Sequence, residues 1–357
     1  MSSEKLRVGI IGIGMFAVYN HVPQLRETGR VAVVACARRN PERLAMAQQA
    51  LQIEHGYTDW RRMLEAEPLD AVVVSTPHHA HVEPTLAALE RGLHVLVDKP
   101  MALTSAEAWA MVEAAEKANR VLMVSGDRIL GKWQMVKQQI EAGLIGRVQQ
   151  INWAVSTYRR WFWESEGIPA DTFALFDTIG LPRAFYGEWQ GWHRDPAQMG
   201  GGAFVDLGIY QLDLLLWLAG APAVAVVAFT KNAGLVVESF VNLQARLTND
   251  VLVTMTFADA VPQSILSVDQ HLMIVGDQGV LTDDAEGAIW LHRGHQRRKL
   301  DVAVPDTTMS AAFLATILDG KPNLSPVHEA AYTVELMEAT YRSANEGKII
   351  HIEQMEN

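Results

Sequence analysis

The chain has 357 residues, a formal net charge of −11 and a single cysteine. That length exceeds one small domain and fits two domains or one large one. A 49% hydrophobic share against 20% charged residues supplies a sizeable core and excludes a disordered polymer. The acidity argues against a nucleic-acid binder, which carries a basic stripe. The lone Cys36 excludes a disulfide framework and any Cys-rich zinc or iron–sulfur site, and suits a reducing compartment.

No apolar stretch approaches the ~20 residues of a membrane helix. The longest, around Val31–Ala37 and Leu214–Val227, are short or broken by Gly220 and Pro222. Lys5 and Arg7 ahead of Val8–Ile13 look superficially like a signal peptide, but the glycines at 9, 12 and 14 break its core. The sequence reads as cytoplasmic, with no membrane partner.

Strand and helix signals alternate over the first 125 residues. Arg7–Gly12, Val31–Cys36, Ala71–Ser75, His94–Val97 and Val121–Val124 are short apolar runs of strand length. Helices are expected at Pro41–Leu51, at Val82–Arg91 ending on Gly92, and at Ser105–Asn119 behind a Thr104 cap. Apolar strands without alternation, joined by helices, predict a doubly wound parallel sheet covered on both faces.

The character changes near residue 126. A helix over Gly131–Gly143 and a strand over Arg147–Thr157 come first. Residues 151–200 hold five of the ten tryptophans, which marks either a second core or a ligand-facing surface. A helix over Val205–Leu218 follows Gly200-Gly201-Gly202. Strand signals then dominate, over Ala223–Thr230, Glu238–Thr248, Asp250–Ala258, Ser264–Val275 and Ile289–Arg293, with turns at Asn249-Asp250 and Asp277-Gln278-Gly279. A helix over Pro326–Asn345 and an edge strand over Ile349–Ile352 close the chain. The reading is a doubly wound α/β domain over residues 1–126, then an α+β domain with a largely antiparallel sheet over 127–357, whose final helix is a candidate to pack back on the first domain.

Gly12-Ile13-Gly14-Met15-Phe16-Ala17 fits G-x-G-x-x-A between the first strand and a helix. Gly12 permits the tight turn, Gly14 permits close approach of a pyrophosphate, and Ala17 keeps helix and strand close. The N–H groups around Met15 and Phe16 at the helix start then suit phosphates. The second strand does not end in the acid that holds a ribose 2′-hydroxyl; Arg38-Arg39 stand there instead. Two guanidiniums attract a 2′-phosphate, so NADP(H) is expected over NAD(H), unless both are solvated surface charges.

Two segments fall beyond strand ends, where this architecture binds ligands: Ser75-Thr76-Pro77-His78-His79-Ala80-His81 and Val97-Asp98-Lys99-Pro100. Lys99 before a proline has a restricted backbone that aims its ammonium at a reacting oxygen. The three histidines raise a metal site, but no H-E-x-x-H or cysteine ligand accompanies them, and none is expected. His81 is read as a cap of the next helix or a residue under the cofactor, and His79 as solvent-facing.

The order G-I-I-G-I-G, S-T-P-H-H-A-H, H-V-L-V-D-K-P and G-G-G-A-F-V-D-L-G-I-Y-Q-L-D resembles the glucose–fructose oxidoreductase / inositol dehydrogenase / MocA-type family over nearly the whole chain. The resemblance implies a Rossmann domain, a second domain with an open, mostly antiparallel sheet, and hydride transfer between nicotinamide and a sugar or cyclitol carbon. It carries over Lys99 as the lysine touching both nicotinamide and substrate. Asp98 stands where glutamate is commoner.

Asp206 and Tyr210 lie four apart, on one face of a helix, with Asp213 seven from the first. Many relatives carry histidine at Tyr210. A phenol, with an unperturbed pKa near ~10, needs a neighbouring cation to act as a base near neutrality. The expectation is that Lys99 and Tyr210 pass the proton while Asp206 orients the substrate hydroxyl. Trp161, Trp192 and Arg194 are candidates for the substrate wall, or for core and subunit interface. Thr76, Pro77, His78, His81, Asp98 and Pro100 complete the cofactor set. Two rivals stay open: a glycosidase that oxidises its substrate transiently with bound NAD, and a nicotinamide-binding regulatory protein without turnover. A homodimer or homotetramer is expected, since an open sheet leaves one face to cover.

Overall fold

The computed structural model describes residues 5–157, 181–182, 185, 191–259 and 268–353. Trp161 and the rest of the aromatic stretch from Tyr158 to Trp163, Trp189, and the start of the strand expected at Ser264 lie outside them. The chain groups into two compact units. One holds Met1–Gly126, Gly167–Gly200 and Thr307–Ala330, and the other Asp127–Glu166, Gly201–Asp306 and Ala331–Asn357, each as far as it is described.

The first unit is built on six parallel strands: β1 Leu6–Ile11, β2 Val31–Ala37, β3 His55–Tyr57, β4 Ala71–Val74, β5 His94–Val97 and β6 Leu122–Val124. Their order is β3-β2-β1-β4-β5-β6. Every residue of β4 and β6 is buried, as in a sheet with both faces covered. The order reverses between β1 and β4, so a crevice is expected beyond their carboxyl ends. Both expected ligand segments, and the glycine turn, leave this sheet at that end: Gly12 after β1, Ser75 after β4, Asp98 after β5.

The second unit holds a nine-stranded sheet. Its strands are β7 Val148–Thr157, β8 Ala223–Lys231, β9 Phe240–Leu247, β10 Leu252–Asp259, β11 Val268–Gly276, β12 Val280–Asp283, β13 Ile289–Arg293, β14 Gln296–Lys299 and β15 Ile350–His351. The order is β14-β13-β12-β11-β7-β10-β9-β8-β15. Pairing is antiparallel except between β7 and β10. Burial alternates strictly along β9, so one face meets the core and the other is open. Trp153, Phe257, Leu243 and Phe204 fill the covered side.

Three expectations need correction. The helix expected over Val205–Leu218 begins as a π-helical turn, Phe204–Gly208, before the α-helix Ile209–Ala219. A π turn holds more residues than an α turn, so the α-helical argument that Asp206 and Tyr210 share a face does not transfer to it. Gly208 sits where a side chain would run into the Phe204 ring. The segment Pro196–Ala219 is long and apolar enough to cross a membrane by length and composition, contrary to the expectation of none. Two-thirds of that window is buried inside the protein, which is the pattern of core helices. The helices Trp60–Ala66 and Met309–Asp319 and the strands β3, β12 and β14 were not expected.

Asp213 is engaged in structure. It takes a two-pronged bond from Arg128, at 2.7 and 2.6 Å, and a third from Thr333, while the Arg128 side chain is almost fully buried. Removing one partner of such a pair strands the other charge. Asp213→Ala is therefore expected to cost about 3 kcal/mol or more of unfolding free energy, read from the urea midpoint. A loss within the range of exposed pairs, under about 1 kcal/mol, contradicts this.

Candidate active site

The glycine turn is dictated by space and by backbone angle. Gly12 has φ +87°, and a Cβ there would meet the Ser75 carbonyl oxygen at 2.6 Å. No other residue fits. Gly14 differs: a Cβ there would meet only the Gly12 carbonyl, at an ordinary 3.8 Å. The protein's own packing does not demand a glycine at 14, whereas close approach of a ligand backbone or phosphate does. The first helical bond runs from Val18 N–H to the Gly14 carbonyl. Helix starts leave their first N–H groups without intrahelical acceptors, which here are those of Met15, Phe16 and Ala17. These residues fit a dinucleotide pyrophosphate. Met15 and Phe16 are half-buried, and Phe16 stands edge-on to Tyr19 and His21.

The helix continues through a π-helical turn, Ala17–His21, which puts His21 into the interior. His21 is fully buried, and its Nε2 lies 2.7 Å from Oδ1 of Asp98. The Ser75 hydroxyl donates to the other Asp98 oxygen. Both carboxylate oxygens thus accept from protein groups. Burial pushes the Asp98 carboxyl up, but the charge and hydrogen bond of His21 and the Ser75 hydroxyl outweigh it, so its pKa lies below the ordinary carboxylate value. Lys99, half-buried, follows directly, and the Lys99–Pro100 peptide is cis.

Thr76 bonds the Ala80 carbonyl at 2.8 Å, closing the turn after β4, and Pro77 is half-buried beside it. His78 is buried, with Nδ1 3.0 Å from the Met199 carbonyl and its ring 4.8 Å from that of Trp192. His79 is exposed, as expected. His81 makes no side-chain cap to the following helix, correcting that reading. Its Nδ1 and Nε2 each lie 2.8 Å from a backbone carbonyl, Pro100 and Thr76 respectively. Among the described residues no group of three or more His, Cys, Asp or Glu could hold a metal ion.

Arg38 donates from Nη1 to the Ile13 carbonyl at 2.8 Å and lies 4.6 Å from the centre of the Phe185 ring. It therefore sits against the glycine turn, while Arg39 is exposed. Cys36 is buried, which pushes its thiol up to about 12, so it is no nucleophile.

In the second unit, Gly201 and Gly202 precede Asp206 and Tyr210, both half-buried. The Gly202 and Phe204 N–H groups donate to one oxygen of the buried Glu238, at 2.9 and 3.1 Å, and the Tyr341 hydroxyl donates to the same oxygen at 2.8 Å. Burial raises the Glu238 carboxyl, and these donors oppose that rise. A side chain at Gly201 would strike Tyr341, and one at Gly202 the backbone of Glu238. Trp192 and Arg194, half-buried in a short 3₁₀ turn, belong to the first unit.

A family model described as an oxidoreductase family with an NAD-binding Rossmann fold matches residues 6–125, and one described as the GFO/IDH/MocA C-terminal domain matches residues 133–282. The chain belongs to the Gfo/Idh/MocA oxidoreductase family. Membership makes it a nicotinamide-dependent oxidoreductase. D-apiose dehydrogenase from Paraburkholderia graminis is a relative, 26% identical over 99% of this chain and 91% of that protein. D-glucoside 3-dehydrogenase from Escherichia coli is 32% identical over 63% of this chain and 57% of that protein. The WlbA dehydrogenase from Bordetella pertussis, solved with NADH and UDP-GlcNAcA, is 23% identical with a TM-score of 0.78, covering 99% of this chain and 100% of that one. At that identity the likeness is one of fold.

Within this Gfo/Idh/MocA chain, sequence reasoning missed His21, Glu238 and Tyr341. His21 had a usable signal, a histidine on the apolar helix face of Val18, Val22 and Leu25. Glu238 had none, since its partners lie 34 and more residues away. The Asp98 carboxyl, with its pKa lowered, contributes stability that is present above the ordinary value of ~3.9 and lost as pH falls through the folded one. Urea unfolding across the acid range is expected to be less pH-dependent in Asp98→Asn than in the parent. Equal slopes contradict it.

Proposed function

We propose that the chain moves a hydride between nicotinamide and the carbinol or carbonyl carbon of a sugar, sugar derivative or cyclitol, with NADP(H) preferred over NAD(H). The observation that carries the reading is the glycine turn at the reversal of strand order. There Gly12 is required by the fold and Gly14 only by a ligand, and the loop of Lys99 leaves the same end of the sheet. The names of the relatives, dehydrogenases of D-apiose and of D-glucosides, support a sugar over the glycosidase and sensor alternatives.

The bound nicotinamide supplies or accepts the hydride. The chain's own residues supply position, charge and a proton path. Lys99 donates to the reacting oxygen and holds charge that develops on it. Tyr210 passes the proton, and Asp206 accepts from a substrate hydroxyl and fixes its orientation. Trp192 offers an apolar face to the sugar and Arg194 donors to its oxygens; Trp161 is assigned with them from the sequence. Arg39, exposed, and Arg38, against the glycine turn, supply cations for a 2′-phosphate. A homo-oligomer that covers the open sheet face, where Phe229, Leu252 and Met273 are exposed, completes the reading.

Lys99→Met and Tyr210→Phe are each expected to lower kcat about 10²- to 10⁴-fold, the usual loss for a proton-transfer group. Near-normal turnover in both ends the assignment. For cofactor choice, Arg38→Asp with Arg39→Asp is expected to shift the ratio of NADP to NAD dissociation constants toward NAD by about tenfold or more, since a carboxylate repels the 2′-phosphate. An unchanged ratio overturns the NADP preference.

A further inference from the structure

His81 is fully buried, and both its ring nitrogens face backbone carbonyl oxygens at hydrogen-bonding distance: Nδ1 to Pro100 and Nε2 to Thr76, each at 2.8 Å. A neutral imidazole carries one N–H and one bare lone pair. In that state one of these contacts would set a lone pair against a carbonyl oxygen, and one of the two carbonyls would lose its donor. The ring escapes only if a carbonyl moves away, and the chain beside each carbonyl is tied in place. Thr76 is held by its own hydroxyl bond to Ala80, and Ser75 N–H donates to the Ile11 carbonyl at the end of β1. Pro100 is buried and follows the end of β5, where Asp98 N–H donates to the Val74 carbonyl.

We propose that His81 is a buried imidazolium that positions Lys99, giving one N–H to Thr76 and the other to Pro100; the positioning half rests on the role given to Lys99 above. A buried cation needs a counter-charge, and Asp98 supplies it. Its carboxylate is buried beside the same loop and held by His21 and Ser75. The other charged or titratable groups around the ring and its counter-charge are Lys99, which opposes the charge, His78, whose ring lies 5.8 Å away, and His21, which shares the Asp98 carboxylate. Burial is the largest influence on His81 and leaves its pKa below the ordinary histidine value, with the Pro100 and Thr76 carbonyls and Asp98 acting against it. Against that direction stands the geometry: two acceptors, each 2.8 Å from a ring nitrogen, call for two N–H groups, which only the charged ring carries.

The tie joins the two loops that leave β4 and β5. Pro100 is the next residue after Lys99, so its carbonyl anchors the backbone that carries the ammonium. Loss of a proton from His81 would release one of the two loops and let that backbone shift. This is a positioning role, distinct from contact with substrate or cofactor.

The test combines a spectrum with kinetics. Long-range ¹H–¹⁵N spectra of the ¹⁵N-histidine-labelled full chain, at neutral pH, are compared with those of His81→Gln to assign the ring. Two protonated nitrogens are expected for His81 in the parent. One protonated and one bare nitrogen overturns the proposal, and this arm does not depend on the role of Lys99. His81→Gln is expected to lower kcat about tenfold or more with a smaller change in KM for nicotinamide. In a Lys99→Met background the same change is expected to cost almost nothing further. Should His81→Gln fail to fold, His81→Asn is assigned and measured in the same way. A loss that adds in full on top of Lys99→Met overturns the positioning role. Near-normal turnover in Lys99→Met itself would instead sink the lysine assignment, leaving the spectrum to judge the charge on His81.

Discussion

One buried carboxylate organises the ligand end of the first unit. Asp98, at the end of β5, takes a bond from His21 on the helix that follows the glycine turn, and another from Ser75 at the end of β4. Three loops that leave three strands of the sheet at one end are tied through a single side chain. Burying a carboxylate is costly unless its oxygens are satisfied, so each donor is needed for the others to be tolerable. Satisfied in this way, the network fixes the geometry around the glycine turn and the lysine together.

The same logic recurs in the second unit around Glu238. A buried carboxylate from the chain just before β9 accepts from two N–H groups at the start of the helix bearing Asp206 and Tyr210, and from the Tyr341 hydroxyl. The N–H groups at a helix start lack intrahelical partners, and an acid distant in the sequence satisfies them. The consecutive glycines leave room for this: at Gly201 and Gly202 a side chain would collide with Tyr341 and with the Glu238 backbone. In both units a buried acid fixes backbone close to the proposed site residues: Asp98 directly before Lys99, and Glu238 at the Gly202 and Phe204 N–H groups ahead of Asp206.

Much of this was legible in residue order. Runs such as Ala71–Val74 are apolar without alternation and are separated by helical stretches, the pattern of a doubly covered parallel sheet, and β9 alternates as a one-sided sheet must. Gly12 was legible because a tight turn after a strand has a sequence signature. The short elements were not, because His55–Tyr57 and Gln296–Lys299 are too brief for a period to register. The π turn at Phe204–Gly208 was invisible, since an apolar run carries no signal that separates a π turn from an α turn. Asp98 could be located but its partners could not: the bonds to His21 and Ser75 span 77 and 23 residues and exist only once the sheet is assembled. Asp213 shows that spacing alone assigns no role: seven residues from Asp206, it neutralises a buried arginine.

The central claim is that a glycine turn and a lysine, braced by Asp98, serve hydride transfer to or from a polyol carbon. The most direct test is absorbance at the reduced-nicotinamide band when the purified chain is mixed with oxidised NADP or NAD and a panel of sugars, sugar derivatives and cyclitols. The account predicts growth of that band with at least one member of the panel, faster with NADP than with NAD. Tight cofactor binding with no change in the band for any member, in either direction of reaction, would contradict it.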